Sequence, residues 1–509
     1  MSRVRSAARA FGAGALAVIL AAHVGSPDVF FNGSAGPYAL QVVVRPPQVV
    51  PGIARVTVRA PAAVHRVSIR PVFWRAGSRG APSPDETRRL DGAAAGGTFE
   101  GSLWLMARGA YSVDVIVDGG LGTAHVLVPV ASVATGRLAL SPALGALLAA
   151  LAVVLVAGLV NIVYKAAGES ITEIGRTMDP ARLRRSRRAA AVSVPILAAL
   201  LLGGARWWGA VDSEYQRRMY RPMSMALSLS GATLEVRVRD TLYSANGRPL
   251  RYVPDHGKLM HLFLVRWDDA RAFAHLHPVP NDTSAVPAMR VELPPLPGGR
   301  YHAYADVVDE TGFERTLVAS LTIPDAAAGA ARAGAPADRD DAWFQGEASR
   351  DPVTRLDDGS FMRLDVVPMG LIRARHDVTL RVTVSDAAGK RVALQPYLGM
   401  SAHAVVVRLD GAVYVHLHPM GTVSLAAQDA FLARDRGDTA ADGRLMLASE
   451  HAMPMTAATS PPDSVPSDVS FPYAFPSPGS YRFFVQVRRN GRVVTGAYAI
   501  TVADGADAP

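Results

Sequence analysis

Two long apolar segments joined by a basic stretch constrain the fold of this chain more than any other feature. Residues 138–164 are 27 residues without a charged side chain, and about 20 apolar residues are enough to cross a bilayer as a helix. Residues 189–211 form a second apolar segment, in which Pro195 is tolerable for a membrane helix. We therefore predict two transmembrane helices. The alternative is that the second segment is a buried helix of a soluble domain.

A third, shorter apolar stretch lies near the N-terminus. Residues 10–22 are uncharged and follow three arginines within the first nine residues, which is the order found in signal peptides and short signal anchors. Residues 1–24 are predicted to be one of these two. The chain then has two or three transmembrane helices, depending on whether this segment is cleaved.

The positive charge of the chain predicts how the helices are oriented. The formal net charge is +9, and the N-terminal arginines and residues 165–188 carry most of it. Because Lys and Arg collect on the cytoplasmic side of membrane helices, we predict that residues 165–188 form a cytoplasmic loop. The large regions before and after the helices would then lie in a bacterial periplasm, anchored to the inner membrane. The rest of the chain is nearly neutral, which argues against a nucleic-acid partner.

The predicted periplasmic regions have the alternating pattern of β-strands. A Gly-x-Tyr sequence followed by a strand, a polar turn and a final strand occurs three times, with Tyr111, Tyr301 and Tyr481 in equivalent places. Alternation of this kind buries one face of each strand in a sandwich core. We predict a mainly β fold with three immunoglobulin-like β-sandwich modules, at residues 25–135, 222–325 and 343–504, and a linker at residues 326–342.

Two matching histidine hairpins carry the candidate chemistry. Residues 260–278 and 400–420 both read His, apolar strand, turn, apolar strand, His-Leu-His-Pro. The first module has only His65 and His125 in its predicted range. The shared fold therefore does not require the histidine hairpin. Because the chain has no cysteine, disulfides, Cys-ligated metal clusters and thiol catalysis are excluded.

The register of the third-module hairpin follows from its turn. Asp410–Gly411 is typical of a two-residue type I′ turn. That turn places His403 opposite His418, and His416 shares a face with His418 because the two are two residues apart. Three imidazoles over that span can meet one ion at metal–nitrogen distances near 2 Å.

The second-module hairpin has one more residue between its histidines, and a three-residue loop at 268–270 restores the same opposition. The sequence therefore predicts one metal site in each hairpin. Clustered imidazoles repel one another when protonated and need partners when buried. The alternatives are structural histidines and a pH-responsive element. The predicted ligands are His261, His275, His277, His403, His416 and His418.

Methionines near the hairpins bear on the choice of metal. Imidazole suits zinc, copper and nickel, while thioether favours Cu(I). Met420, two residues after His418, is a further predicted ligand, although methionine is more often core filling. Copper is the predicted cofactor and zinc the alternative. Secondary candidate ligands are Met260, His302, Met400, His451, Met453 and Met455.

The Gly-x-Tyr terminal hairpins together with the paired histidine clusters resemble YtkA-like and FixH-like periplasmic domains and, more loosely, CopC-like copper-carrier sandwiches. The resemblance covers each module at the level of pattern, not the whole chain. It implies an immunoglobulin-like fold and, from the copper carriers, ligation by His and Met. The positions to which it transfers are the six hairpin histidines named above.

These observations predict a membrane-anchored periplasmic protein that stores, transfers or senses copper through its two hairpins. The predicted partners are the inner membrane, a metal ion and a periplasmic or membrane protein. No catalytic triad, phosphate loop or paired-carboxylate motif stands out, so we do not predict an enzyme. The alternative is a non-metal immunoglobulin-like scaffold, or an assembly or transporter accessory protein, whose histidines stabilise the hairpins.

Overall fold

The computed structural model describes residues 23–24, 28–90, 96–169, 179–239, 247, 249–284, 286–325, 338–438 and 464–505. In these residues the fold is mainly β, with several sheets and three helices. The chain divides into two compact units, one of residues 1–133 with 221–509 and one of residues 134–220. Parts of the predicted features lie outside the described residues: residues 1–22 of the N-terminal segment, 170–178 of the predicted loop at 165–188, 326–337 of the predicted linker at 326–342, and the candidate ligands His451, Met453 and Met455.

The smaller unit contains two helices, α1 (Pro142–Glu169) and α2 (Pro180–Arg217). Both are long and apolar enough to cross a membrane. The most apolar stretch of each is unburied, unlike the buried soluble helix that was the alternative for the second segment. α1 continues past residue 164 and α2 begins well before residue 189. The helices therefore extend into residues 165–188, which the charge pattern assigned to a loop.

The first module contains two antiparallel sheets, in the strand orders β2–β3–β4–β8–β7 and β10–β9–β5–β6. Val56 and Val113, one from each sheet, lie in the same apolar core. Arg55 and Arg59 of the same strand point to solvent, as the alternating pattern predicts. The strands are β2 (Val29–Ala35), β3 (Tyr38–Arg45), β4 (Gly52–Pro61), β5 (Val64–Phe73), β6 (Asp85–Glu86), β7 (Arg88–Leu90), β8 (Gly96–Leu105), β9 (Gly109–Gly119) and β10 (Gly122–Ser132), after a short β1 (His23–Val24).

The second module is one hydrogen-bonded sheet in the order β16–β17–β12–β11–β19–β18–β14–β15–β20, with β13 paired to β18. Its two ends share a core that includes Val236 and Leu264. The strands are β11 (Met223–Ser230), β12 (Thr233–Val238), β13 (Tyr252–Val253), β14 (His261–Arg266), β15 (Ala272–Leu276), β16 (Val279–Pro280), β17 (Met289–Glu292), β18 (Gly299–Asp309), β19 (Glu314–Ile323) and β20 (Ala342–Gln345). β20 begins at the last residue of the predicted linker and continues into the range predicted for the third module. It nevertheless completes the sheet of the second module by pairing with β15.

The third module contains two sheets, β21–β22–β23–β26 and β1–β25–β24–β27–β28. Leu380 and Phe483, one from each sheet, lie in its core. The strands are β21 (Val353–Arg355), β22 (Phe361–Val367), β23 (Asp377–Ser385), β24 (His403–Arg408), β25 (Val413–Leu417), β26 (Asp468–Ala474), β27 (Gly479–Arg489) and β28 (Arg492–Val502).

A helix that the strand pattern did not predict, α3 (Leu425–Arg436), follows β25. It begins at Ser424, whose hydroxyl accepts the Ala427 N–H at 3.0 Å, and it ends at a left-handed Gly437. Phe431 of α3 packs edge-to-face on Trp74 of the first module at a centroid distance of 5.2 Å. Its N-terminal alanines pack on the second module. α3 therefore ties all three modules into one unit.

The three Gly-x-Tyr repeats have the same local geometry. Tyr301 and Tyr481 each donate a hydrogen bond of 2.7 Å to the carbonyl oxygen four residues upstream. Tyr111 instead accepts the main-chain N–H four residues upstream at 3.1 Å. The glycines two residues before these tyrosines all have φ between 135° and 143°: Gly109, Gly299 and Gly479. The equivalence inferred from the sequence extends to the backbone.

Candidate metal centre

Both histidine hairpins have the predicted register. In the third module Ala404 pairs with Leu417 and Val405 with His416, which is the opposition derived from the Asp-Gly spacing. In the second module Leu262 pairs with Leu276. His261 and His277 therefore occupy opposite positions at the open end of their hairpin.

The turn of the third-module hairpin differs from the predicted one. A type I′ turn needs positive φ at both central residues, whereas only Gly411 of the Asp410–Gly411 pair has it. The Gly411 N–H instead donates to the Arg408 carbonyl oxygen at 2.8 Å. The strand register is unchanged because the number of residues between the paired strands is the same.

Both hairpins are buried on both of their faces. In β24, Ala404 and Val406 point into the third-module core, while Val405 and Val407 point the other way into a separate apolar cluster. That cluster also receives Phe263 of the second module. The two hairpins therefore pack face to face, with the ring centroids of Phe263 and Tyr414 5.6 Å apart.

This packing merges the two predicted sites into one buried cluster of seven imidazoles, here called the histidine cluster. Neighbouring ring centroids lie 4.4 to 6.3 Å apart. Six of the seven residues are buried, from 0% exposed for His275 to 6% for His416, and the side chain of the seventh, His256, is 1% exposed. The cluster consists of His256, His261, His275, His277, His403, His416 and His418.

The histidine cluster contains two groups in which one nitrogen per ring lies within 4.8 Å of the others. Group A is His261, His275 and His277, as predicted. Group B is His256, His403 and His418. Two nitrogens bound to one ion at about 2.1 Å are at most about 4.2 Å apart. The rings of each group therefore need to move by less than about an ångström to bind a common ion.

Group B differs from the predicted ligand set in one position. His416 was expected to join His403 and His418. The structure brings His256 to these two residues, and the His416 ring lies between the two groups. His256 was missed because it lies in the turn that precedes β14, with a positive φ of 52°, and not on a strand. A fourth histidine five residues before His261 was the available signal.

Hydrogen bonds around His275 assign its tautomer. Its Nδ1 lies 2.8 Å from Gln486 Oε1 and 3.1 Å from the Tyr397 hydroxyl oxygen. The Tyr397 O–H is already donated to the Asp340 carbonyl oxygen at 2.9 Å. Nδ1 of His275 is therefore the protonated nitrogen, and the lone pair is on Nε2.

A second lone pair, on His261, lies opposite the first. The Nε2 of His261 lies 3.2 Å from the Asp255 carbonyl oxygen, to which it can only donate. The lone pair of His261 is then on Nδ1, 3.0 Å from Nε2 of His275. Two facing lone pairs at this distance repel unless a cation lies between them. A separation of 3.0 Å is also that of two neighbouring ligands on one metal ion.

Several other ring nitrogens of the cluster are buried without a hydrogen-bond partner among the described residues. They include both nitrogens of His403. His418 donates from Nδ1 towards the Val423 carbonyl oxygen at 3.3 Å, which leaves its Nε2 unpartnered. Orphaned buried polar atoms are rare and costly. Those that converge here are Nε2 of His256, His277, His416 and His418 with Nδ1 and Nε2 of His403.

Burial keeps six of the cluster imidazoles neutral by lowering their pKa. Desolvation is the largest cause of the low pKa of His261, about 4, and of His418, about 3. It also lowers the pKa of the remaining shifted members well below the usual value: His275, His277, His403 and His416. Neutral imidazole is the form that binds a metal ion.

Buried carboxylates orient two of the rings from behind. His277 Nδ1 lies 2.9 Å from Asp341 Oδ1, which also accepts the His277 main-chain N–H at 2.8 Å. His416 Nδ1 lies 3.6 Å from Asp306 Oδ2. Burial raises the pKa of Asp341 to about 7 and that of Asp306 to about 6. A carboxylate behind the ring is the usual outer partner of a metal-bound histidine.

The remaining described candidates lie elsewhere. Met260 is buried in the second-module core, and Met420 packs against the core of the first module. Met400 is half-buried in a tight turn. His302 stacks on Trp267 at a centroid distance of 3.8 Å. His302 pairs with Val265, four residues after His261 on β14. At about 3.3 Å per residue, His302 therefore lies roughly 13 Å along the sheet from His261.

Residues 357–504 match a family model described as a domain of unknown function, DUF8832. The matched range includes three of the cluster histidines, His403, His416 and His418. No curated protein matches the chain.

Several solved structures resemble the chain weakly. A tetra-tandem repeat from the extending region of a large adhesion protein is 11% identical, with 89% of this chain and 71% of that chain covered and a TM-score of 0.14. Native Escherichia coli alpha-2-macroglobulin is 9% identical, with 95% and 23% covered and a TM-score of 0.18. The elastase-activated form of that protein is 9% identical, with 91% and 44% covered and a TM-score of 0.20. Likenesses this weak carry no argument about fold or function.

Proposed function

We propose that this protein is a membrane-anchored metal-binding protein that takes up copper, with zinc as the alternative, in its buried histidine cluster. The observation that carries the proposal is the convergence of imidazole lone pairs that have no hydrogen-bond donor. The facing nitrogens of His261 and His275, 3.0 Å apart, are the clearest case. A bound cation removes both the repulsion and the cost of burying unpaired nitrogens.

The donor set favours a divalent ion. Met260 packs in the second-module core and Met420 against the first-module core. Neither thioether is then a ligand in the histidine cluster, and thioethers are what would favour Cu(I). An all-imidazole site suits Cu(II) and Zn(II), and Cu(II) binds most tightly among the divalent first-row ions. Burial of the cluster under two packed hairpins favours storage or sensing over rapid transfer.

A metal titration of the full chain in detergent tests the proposal. We expect His277→Ala combined with His403→Ala to lower Cu(II) affinity by more than about 100-fold, since even outer partners of metal ligands are worth about 10- to 100-fold. His302→Ala is the matched control, because His302 is a half-buried histidine outside the cluster. The copper affinity of this variant should equal that of wild type. Equally weak copper and zinc binding by wild type and the double variant would refute the proposal and leave the scaffold alternative.

We further infer that α1 and α2 cross the inner membrane and hold three immunoglobulin-like modules in the periplasm. The basic residues between the apolar segments support this orientation. We also infer, from the sequence pattern alone, that the modules are related to YtkA-like and FixH-like domains. A reporter fused after Arg185 should be cytoplasmic and one fused after Gly334 periplasmic. The opposite pattern would disprove the proposed orientation in the membrane and would leave the proposed metal binding unaffected.

A further inference from the structure

We propose that the histidine cluster is a two-ion centre, with one ion in group A, one in group B, and His416 between them as a fourth ligand for one of the two. This inference rests on the proposed metal-binding function and specifies its stoichiometry. Group A comes from the second module alone. Group B combines His256 of the second module with His403 and His418 of the third, so its ion would link the two modules.

The number of donors exceeds what one ion can use. Tetrahedral protein sites for zinc take four ligands, while seven imidazoles converge here. The two groups share no residue, and each brings its own three nitrogens within 4.8 Å. A single ion in either group would leave the unpartnered nitrogens of the other group buried and unpaired. Two ions account for both groups.

The position of His416 fits a ligand available to both groups. Its ring centroid lies 5.4 Å from that of His261 in group A and 5.4 Å from that of His403 in group B. Its Nε2 is buried and has no hydrogen-bond partner among the described residues. Each group supplies three nitrogens, and His416 offers the fourth that a tetrahedral ion takes.

The buried charge around the cluster also fits two divalent ions. Three carboxylates lie beside it, one at each part: Asp341 at His277 of group A, Asp255 at His256 of group B, and Asp306 at His416. Their Oδ atoms are 2.9, 3.7 and 3.6 Å from the respective ring nitrogens. Once divalent ions beside them hold all three ionised, these carboxylates exceed the charge of one such ion and nearly balance that of two. Buried charges need such compensation.

Copper stoichiometry and electron paramagnetic resonance of the Cu(II)-loaded full chain in detergent test this inference. We expect two copper ions per chain and a spin-coupled spectrum, since rings of the two groups lie as close as 6.1 Å, between His256 and His261. One ion per wild-type chain at saturation, or two ions without coupling, would overturn the two-ion centre while leaving metal binding intact. No bound ion would instead refute the proposed function.

Variants assign the ions to their groups. His277→Ala and His418→Ala should each retain one copper ion with an uncoupled spectrum, and His302→Ala should keep both ions and the coupling. His416→Ala should weaken the binding of one ion, the one that His416 Nε2 binds, and spare the other. Unchanged affinity for both ions would show that His416 is not a ligand. The number of copper ions bound per wild-type chain decides between one ion and two. That measurement does not depend on whether any variant folds.

Discussion

The first module and the two histidine hairpins use the same strand chemistry with different burial. In β4 of the first module, buried Val56 and Val58 alternate with more exposed residues, so one face packs and the other is largely solvated. In β14 and β24 nearly every residue is buried, because the second face of each hairpin packs against the other hairpin. The candidate metal site therefore arises from the packing of one hairpin against the other. The Gly-x-Tyr scaffold, which all three modules share, does not create it.

The largest expected effect is the acid sensitivity of the metal-free protein. The pKa of His261 is about 4 when folded and 6.5 in the unfolded reference, so the unfolded chain binds more protons between these values. Stability should therefore rise with pH through this window and fall by several kcal/mol from pH 7 to pH 4, since each pKa unit is about 1.4 kcal/mol per group. Urea unfolding at both pH values measures this.

A hairpin variant sharpens the acid test. Replacing His275 and His403 with Leu removes two of the groups whose pKa burial lowers, so its unfolding free energy should depend less on pH than that of wild type. The same pH dependence in wild type and variant would show that the histidine cluster is not the source.

The next largest effect is truncation of the face that joins the hairpins. Phe263 stacks on His275 at a centroid distance of 4.2 Å and is 0% exposed. Phe263→Ala should cost about 3–5 kcal/mol of stability and also weaken copper binding. Phe99→Ala in the first-module core, where Phe99 is 1% exposed, should cost a similar amount and leave copper affinity unchanged. Equal copper affinity in both variants would show that the face between the hairpins does not organise the copper site.

A smaller effect is expected from the carboxylate behind a ligand. Asp341→Ala removes the partner of His277 Nδ1 and should lower copper affinity by about 10- to 100-fold. The first module offers a matched control in Asp114, which lies 3.0 Å from His125 Nδ1 and is buried in the same way. Asp114→Ala should leave isothermal titration with copper unchanged. A loss of affinity in the Asp114 variant would point to a general effect on folding.

The smallest effect concerns the scaffold that the modules share. Tyr111→Phe, Tyr301→Phe and Tyr481→Phe each remove one hydrogen bond to the main chain and should each cost about 1 kcal/mol in thermal unfolding. Copper affinity should be unchanged in all three. Loss of copper binding in the Tyr301 or Tyr481 variant alone would mean that the repeated corner, and not the inter-hairpin face, organises the site.

The sequence predicts the local geometry of the hairpins well because the information is local. Residue spacing across the turn was enough to place His403 opposite His418, even though the turn is not the type I′ form. Strand parity was enough to place His416 on the same face as His418. The three Gly-x-Tyr repeats were recognisable for the same reason, since each is a continuous stretch of chain.

The pairing of the two hairpins depends on contacts between distant residues and was not predicted. The continuous apolar runs of β14 and β24 were a signal of burial on both faces, but they do not name the partner. His256 lies in a turn with no strand periodicity, so its contact with His403 and His418 depends on the tertiary fold. β20 joins the second module from across the linker for the same reason.

X-ray absorption at the copper edge of the loaded full chain identifies the atoms that bind the ion. We expect nitrogen ligands at about 2.0 Å with the outer-shell scattering of imidazole rings, and no sulfur. His302→Ala should give the same spectrum, since that histidine lies outside the cluster. A sulfur shell at about 2.3 Å would show that methionines bind the ion. An oxygen-only shell without imidazole scattering would show that the buried histidine cluster does not bind it.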